Sequence, residues 1–319
     1  MKLRLFDLHC DTALEAFDKK LDINSNSLLH ISLDKSGDFS VYTQVFAIFS
    51  RHRRDPEELW KNFFLVRNYI DSQIPPQRRE TEEGFDPNFG CEEGESSAVR
   101  PGFSYILAME GASPVNGELS RLEELYKAGV RVLTLVWKGI EAAGGAYDTK
   151  EGLTEYGRAL VRRCLELGIA PDVSHASDRT TAEVIELCAE YGFPALASHS
   201  NSRSVYTDSP RGITDENYKS IVATGGIVGV NLVAPQLAGS KCKIEHIAAH
   251  IERFLELGGE DYVGLGCDFD GTAELPEGIR GIWDLYKLAD KLGQLNYPDE
   301  LIDKVFYANG RKYFDRLLK

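Results

Sequence analysis

The chain has 319 residues, 43% hydrophobic and 27% charged, which is enough for one α/β barrel or two smaller domains. Its 36 basic and 50 acidic residues leave a formal net charge of -14, so nucleic acid and anionic membrane surfaces are excluded as expected partners. No run approaches the roughly 18 apolar residues of a membrane span, the N-terminus MKLRLFDLHCDT lacks the apolar core of a signal peptide, and the six cysteines stand singly without a CxxC pair. They read as reduced thiols of a cytoplasmic protein.

In chain order, short β-rich runs alternate with amphipathic helical stretches, the pattern of repeated βα units around a parallel sheet. The predicted strands are Leu3–Leu8, Val41–Phe49, Ser104–Met109, Arg131–Val136, Ile169–Ser174, Ala195–Ser198, Gly226–Leu232 and Tyr262–Cys267. Most are nearly continuous in apolar residues, as strands covered on both faces should be, and eight of them predict a closed (β/α)₈ barrel filling residues 1–319 as one catalytic domain. Between them, Asp55-Pro56 offers an N-cap and a first-turn proline ahead of Leu59, Phe63 and Ile70. Leu160, Cys164 and Leu167 recur at helical spacing before Gly168, and Thr180-x-x-Glu183 reads as a capping box for a helix ending at Gly192. The segment 72–102, rich in Pro, Gly, Glu and Arg, predicts a long loop excursion, and 283–319 predicts additional C-terminal helices, one opened by Pro298-Asp299.

Laid on this frame, the residues able to hold a metal fall at the C-terminal ends of strands one, three, five, six and eight, the catalytic face of such barrels. The first strand ends in Asp7-Leu8-His9-Cys10-Asp11-Thr12, whose i, i+2 spacing sends His9 and Asp11 to the same side. Glu110 closes the third strand, where a carboxylate can bridge two cations. His175 and His199 close strands five and six, one βα unit apart, and Asp268 closes strand eight, placed to bind metal, to handle a proton, or both. Taken singly, each histidine is as well explained by core packing. At equivalent strand ends they favour a ligand set. Asp270 reads as part of an Asp-Gly turn, and His30 and His52 stand in loops without a partner spacing. His246 and His250 are four apart but lack the glutamate of HExxH, so packing or capping is expected of them. There is no phosphate-cradling glycine loop and no GxSxG elbow. Cys10 and Ser198 adjoin the histidines but, as strand neighbours, are expected to point to the opposite face.

The ordered motifs Asp-Leu-His-Cys-Asp-Thr, Met-Glu-Gly-Ala, Asp-Val-Ser-His, Ser-His-Ser-Asn and Cys-Asp-Phe-Asp-Gly, with the stretch from Gly152-Leu153-Thr154 to Ser177-Asp178, resemble the membrane (renal) dipeptidase family between about residues 5 and 275. The resemblance implies an amidohydrolase-type barrel with two zinc ions bridged by Glu110. It implies His9 and Asp11 on one ion, His175 and His199 on the other, and Asp268 beside the first as the proton-transfer group. It also implies an arginine for the substrate carboxylate, for which Arg211 is the candidate and Arg203 a competitor. Trp137 stands where the animal enzymes place a histidine against the scissile carbonyl and is expected to wall the pocket. Gly212 follows Arg211 where the family commonly has asparagine, and no tyrosine follows Val230-Asn231-Leu232. The expected activity is hydrolysis of dipeptides by a hydroxide shared between the metals, with a homodimer compatible with this pattern. The competing expectations are a two-metal hydrolase of another amide or a lactone, and a non-catalytic metal-binding relative. The last predicts a missing ligand, and none is missing.

Overall fold

Strand residues here alternate between two separate apolar clusters, and that alternation closes the sheet. Phe6 and Leu8, Val45 and Ala47, Ile106 and Ala108, with Val132, Ala170, Leu196 and Ile227, form one cluster. The intervening Leu5, Phe46, Leu107, Met109 and Leu133 belong to the other, which packs against the helices. The computed structural model describes residues 2–51, 54–81, 100 and 102–318. Its strands β1 (Leu3–Cys10), β2 (Phe39–Phe49), β3 (Phe103–Glu110), β4 (Val130–Thr134), β5 (Ala170–Asp172), β6 (Leu196–Ala197), β7 (Ile227–Val230) and β8 (Val263–Leu265) are parallel and pair in sequence order around a closed barrel. Every predicted run overlaps one strand. The later strands are shorter than their apolar runs, because the ladder stops where the chain turns over the barrel mouth.

The helices are α1 (Thr12–Lys19), α2 (Pro56–Gln73), α3 (Arg121–Lys127), α4 (Glu155–Leu167), α5 (Asp178–Glu190), α6 (Asp215–Ala223), the single turn α7 (Ala234–Leu237), α8 (Ile244–Glu256), α9 (Tyr286–Gln294), α10 (Asp299–Asp303) and α11 (Asn309–Leu317). Asp55 caps α2 by accepting the Glu57 and Glu58 amides, and Gly168 ends α4 at a left-handed φ of 79°. The cap of α5 lies earlier than the sequence indicates: Ser177, not Thr180, accepts the first free amide, from Thr180, and Glu183 instead accepts the Leu153 amide. The last three helices correspond to the predicted C-terminal additions. One of them, α11, seals the N-terminal end of the barrel with Tyr313, Phe314 and Leu317, Phe314 stacking on Phe6 at 5.2 Å between centroids. Full burial of each such ring contributes roughly 2–3 kcal/mol. Most of the predicted excursion, residues 82–99 and 101, and also His52 and Cys91, lie outside the described residues. The other five cysteines are buried and unpaired.

One register step along the inward phase, the barrel filling turns from apolar to polar. Glu110 follows Ala108, Thr134 follows Val132, Asp172 follows Ala170 and Ser198 follows Leu196, all buried. On β1 the phase is reset. Asp7 pairs with Gln44 and Cys10 with Phe46, three residues against two, so a bulge sits at Leu8–His9. The extra residue turns His9 toward the barrel mouth and leaves Cys10 on the helix side.

Candidate metal centre

The six residues expected as ligands meet on the polar layer, on five different strand ends. Glu110 lies at the centre, 3% exposed, with its two oxygens facing different partners. Oε2 is 3.6 Å from His9 Nε2, whereas Oε1 is 3.0 Å from His175 Nε2 and 3.7 Å from His199 Nε2. His9 Nε2 is also 3.8 Å from Asp11 Oδ2 and 3.8 Å from Asp268 Oδ1. Two overlapping groups, His9–Asp11–Asp268 and His9–Glu110–His199, each bring one ligand atom per residue within 4.8 Å of the others. Two of these six residues have left-handed backbone although they are not glycine: His175 at φ 69° and Asp268 at φ 59°. Such conformations cost of order 1 kcal/mol or more and persist where neighbouring contacts enforce them.

The electrostatics are those of a cation site. Burial disfavours a charged His9, but Glu110 and Asp11 outweigh it and hold the imidazole well above its ordinary range. Burial and then the Glu110 charge push Asp11 up to about 8, and Asp268 is raised by burial and by Glu110 against the pull of His9. Glu110 itself is held well below the usual carboxylate range, because His9 and His175 overcome its burial. His175 is lowered to about 4 and His199 further, by burial together with Arg211 and the neighbouring imidazoles, so both are neutral. Metal binds neutral imidazoles and ionised carboxylates, so His175 and His199 already stand in the binding state, whereas His9 and Asp11 have to release a proton to an incoming cation. His9 Nε2 and Asp11 Oδ1 are buried without a hydrogen-bond partner. A side chain at Gly271 would collide with Asp268 Oδ1 and Asp11 Oδ2, so bare backbone roofs that group. Buried N and O donors left unsatisfied around a concentration of negative charge fit one or two divalent cations, zinc among them.

Around the ligands, the structure separates the two arginines. Arg203 is spent on Asp178, at 2.6 and 2.7 Å, and on the Gly212 carbonyl. Arg211 is buried beside the site, its Nη1 donating to Ser200 Oγ and Nη2 to the His199 carbonyl, while Nε has no partner. It stands within electrostatic reach of Asp268, Asp172 and Glu110. The Trp137 ring lies 6.1 Å from that of His175 and 5.2 Å from that of Phe49. Tyr147, which the sequence did not single out, lies 6.3 Å from His175 and donates its amide to the His175 carbonyl. Ser198 departs from expectation: β6 ends at Ala197, and beyond it Ser198 and His199 no longer alternate, so Ser198 Oγ sits 2.7 Å from His199 Nδ1. It also donates to Asp172 and is 1% exposed, which leaves it unavailable as a nucleophile. Cys10 is likewise inert, a fully buried thiol pushed well above its normal range by burial and Asp7. His30 does have a partner: Asp270 accepts its amide, and His30 Nδ1 accepts the amide of Asp270. His250 accepts the Ser202 amide and donates to the Leu237 carbonyl, while His246 accepts the Lys243 amide at the start of α8. Among the described residues, these bonds join neither of them to any of the six.

The family model for membrane dipeptidase (peptidase family M19) matches residues 1–316. A Klebsiella pneumoniae protein of the pqqA 5′ region is 32% identical over 221 residues, covering 64% of this chain and 80% of that protein. Human dipeptidase 3 is 26% identical over 223 residues, 67% of this chain and 45% of the human protein, so the match spans less than half of that longer chain. Among solved structures, a metallo peptidase from Rhodobacter sphaeroides, liganded with a phosphinate mimic of the dipeptide L-Ala-D-Ala, superposes with a TM-score of 0.82 at 24% identity, covering 99% of this chain and 100% of that one. The probable dipeptidase PvdM from Pseudomonas aeruginosa gives 0.83 at 18% identity, with 99% and 96% coverage. No helix among the described residues is long and apolar enough to cross a membrane.

Proposed function

Because the chain belongs to the membrane dipeptidase family and is with it a metal-dependent dipeptidase by class, we propose that it hydrolyses the peptide bond of free dipeptides at a two-zinc centre bridged by Glu110. The observation that carries this reading is the division of the Glu110 carboxylate, one oxygen toward His9 and the other toward His175 and His199. In this assignment His9 and Asp11 hold one ion and His175 and His199 the other, with Asp268 beside the first. Zinc held by these residues would supply a nucleophile from water near neutral pH and polarise the scissile carbonyl.

The chain's own groups then do the rest. Asp268 takes the proton of the attacking water as the new C–O bond forms and returns it to the departing amine as the C–N bond breaks. Arg211, with an unpartnered Nε–H, anchors the free C-terminal carboxylate by charge-assisted hydrogen bonds and so restricts substrates to short peptides. Trp137 and Phe49 wall the site and keep water away from the reacting carbonyl.

The test is hydrolysis of a mixed dipeptide library, including C-terminal D-residues, by zinc-loaded protein beside Asp268→Asn and Glu110→Gln. Cleavage of dipeptides but not of blocked or longer peptides, lost in both variants, is the expected result. Turnover of cyclic amides or lactones in place of dipeptides would move the assignment to another hydrolysis on the same centre.

A further inference from the structure

Beneath the ligands lies a closed set of hydrogen bonds that the proposed chemistry does not use. Asp172 is fully buried at the end of β5 and accepts from four donors. Oδ1 takes the amides of Ser174, at 3.0 Å, and Ser198, at 2.8 Å. Oδ2 takes the hydroxyls of Thr134 and Ser198, both at 2.7 Å. The single hydroxyl proton of Ser198 is therefore committed to Asp172, and at 2.7 Å from His199 Nδ1 its oxygen can only accept. That places the ring proton of His199 on Nδ1 and leaves the Nε2 lone pair facing Glu110 and His175. His175 has no such support: its Nδ1 is buried without a partner, and its Nε2–H is the donor toward Glu110 at 3.0 Å and His199 at 2.9 Å.

We propose that Asp172, acting through the Ser198 hydroxyl, is a positioning residue that fixes the tautomer of His199 and pre-sets its Nε2 as a metal ligand, while His175 must move its proton to bind. The same layer reaches the substrate side, since Ser174 Oγ accepts the His199 amide and Ser200 Oγ accepts from Arg211. The inference rests on the reading that His175 and His199 hold a metal ion, and the experiment separates the two.

Asp172→Asn is the decisive variant. Oδ1 must remain a carbonyl oxygen to keep accepting two backbone amides, so the new NH₂ falls on the Oδ2 side and donates to Ser198. The polarity of the chain then reverses: Ser198 donates to His199 Nδ1, and the ring proton is forced onto Nε2, where the metal belongs. Ser198→Ala removes the preference without reversing it, and Ser198→Thr restores the hydroxyl. Long-range proton–nitrogen correlation spectra of histidine-labelled, metal-free full-length protein are expected to show His199 as the Nδ1–H form in wild type and Ser198→Thr, and as the Nε2–H form in Asp172→Asn. Zinc titration against a competing chelator is expected to show the second equivalent weakened about 10- to 100-fold in Asp172→Asn and Ser198→Ala, with the first retained and Ser198→Thr close to wild type. A wild-type His199 already protonated at Nε2 overturns the proposal, and this needs no variant to fold. Unchanged zinc binding in Asp172→Asn overturns it too. A wild type that takes up no second equivalent, with His199→Ala no different, defeats the metal reading itself.

Discussion

The two halves of the site are tied down by the same device built to different completeness. On the β5/β6 side, Asp172 collects the amides that precede His175 and His199 and has both oxygens saturated by four donors. On the β1/β8 side, Asp7 occupies the matching place before His9 and accepts the Cys267 amide at 2.7 Å, next to Asp268, but its Oδ2 is buried with no partner. The proposed ligands follow the same division. The Asp172 half holds two neutral imidazoles, while the Asp7 half gathers Asp11, Asp268 and one oxygen of Glu110 around a single imidazole. One half is organised by hydrogen bonds before any cation arrives. The other concentrates negative charge and leaves Asp7 Oδ2, His9 Nε2 and Asp11 Oδ1 unsatisfied, against His175 Nδ1 alone among the corresponding groups of the first, so its order depends more on what binds there.

The strongest way to break this division is at Glu110, the residue shared by both halves. Glu110→Gln is expected to lower kcat/KM on a dipeptide by on the order of 10⁴-fold and to weaken both zinc equivalents, several kcal/mol of lost charge stabilisation. By contrast, Asp11→Asn should remove only the first equivalent and His199→Ala only the second, read by metal analysis after dialysis. If either single-half variant emptied both positions, the halves would not be separable.

Gly271→Ala tests the β1/β8 half without replacing any of the six residues. A methyl group there collides with the Asp268 and Asp11 carboxylate oxygens, which have to move to admit it. We expect one zinc equivalent lost and kcat/KM lowered roughly 10²- to 10³-fold, about 3–4 kcal/mol, with the His175–His199 side still occupied. Full activity in this variant would mean that the loop after β8 yields freely and that the roof is not rigid.

Much of this architecture is legible from sequence because barrel strands have a two-residue period. Glu110 continues the inward phase of Ile106 and Ala108, and the apolar runs of β5, β6 and β8 mark where His175, His199 and Asp268 leave the sheet. What period alone does not carry is the exit geometry. His9 faces the mouth because of a bulge, and His175 and Asp268 because of left-handed backbone. Ser198 read as turned away because alternation was applied from His199, whereas Ser198 keeps the inward phase of Leu196 and the chain beyond β6 brings His199 to the same side. The pairing of His30 with Asp270 joins residues 240 apart, so no local spacing announces it. Asp172 lay in plain view inside a metal-site motif, yet its role depends also on donors from two other segments, Thr134 at the end of β4 and Ser198 beyond β6, which only the closed barrel brings together.

The gentlest test of the comparison is pH. Burial pushes Asp7 up to about 7 despite the Cys267 amide and Gln44, whereas an aspartate in the unfolded chain titrates near ~3.9. Between those values the folded, metal-free protein binds a proton that the unfolded chain does not, so stability is fully present below about pH 4 and is lost as pH rises through about 7. The loss amounts to roughly 2–4 kcal/mol after structural relaxation. Asp7→Asn keeps an oxygen for the Cys267 amide and cannot ionise, so chelated variant and wild type should melt together near pH 4 and separate as pH rises, the variant higher at pH 8. Zinc loading should narrow the gap, since a nearby cation favours the ionised form of Asp7. A gap that is constant with pH would show that Asp7 stays ionised throughout, and the contrast with the saturated Asp172 would then lie in geometry and not in charge.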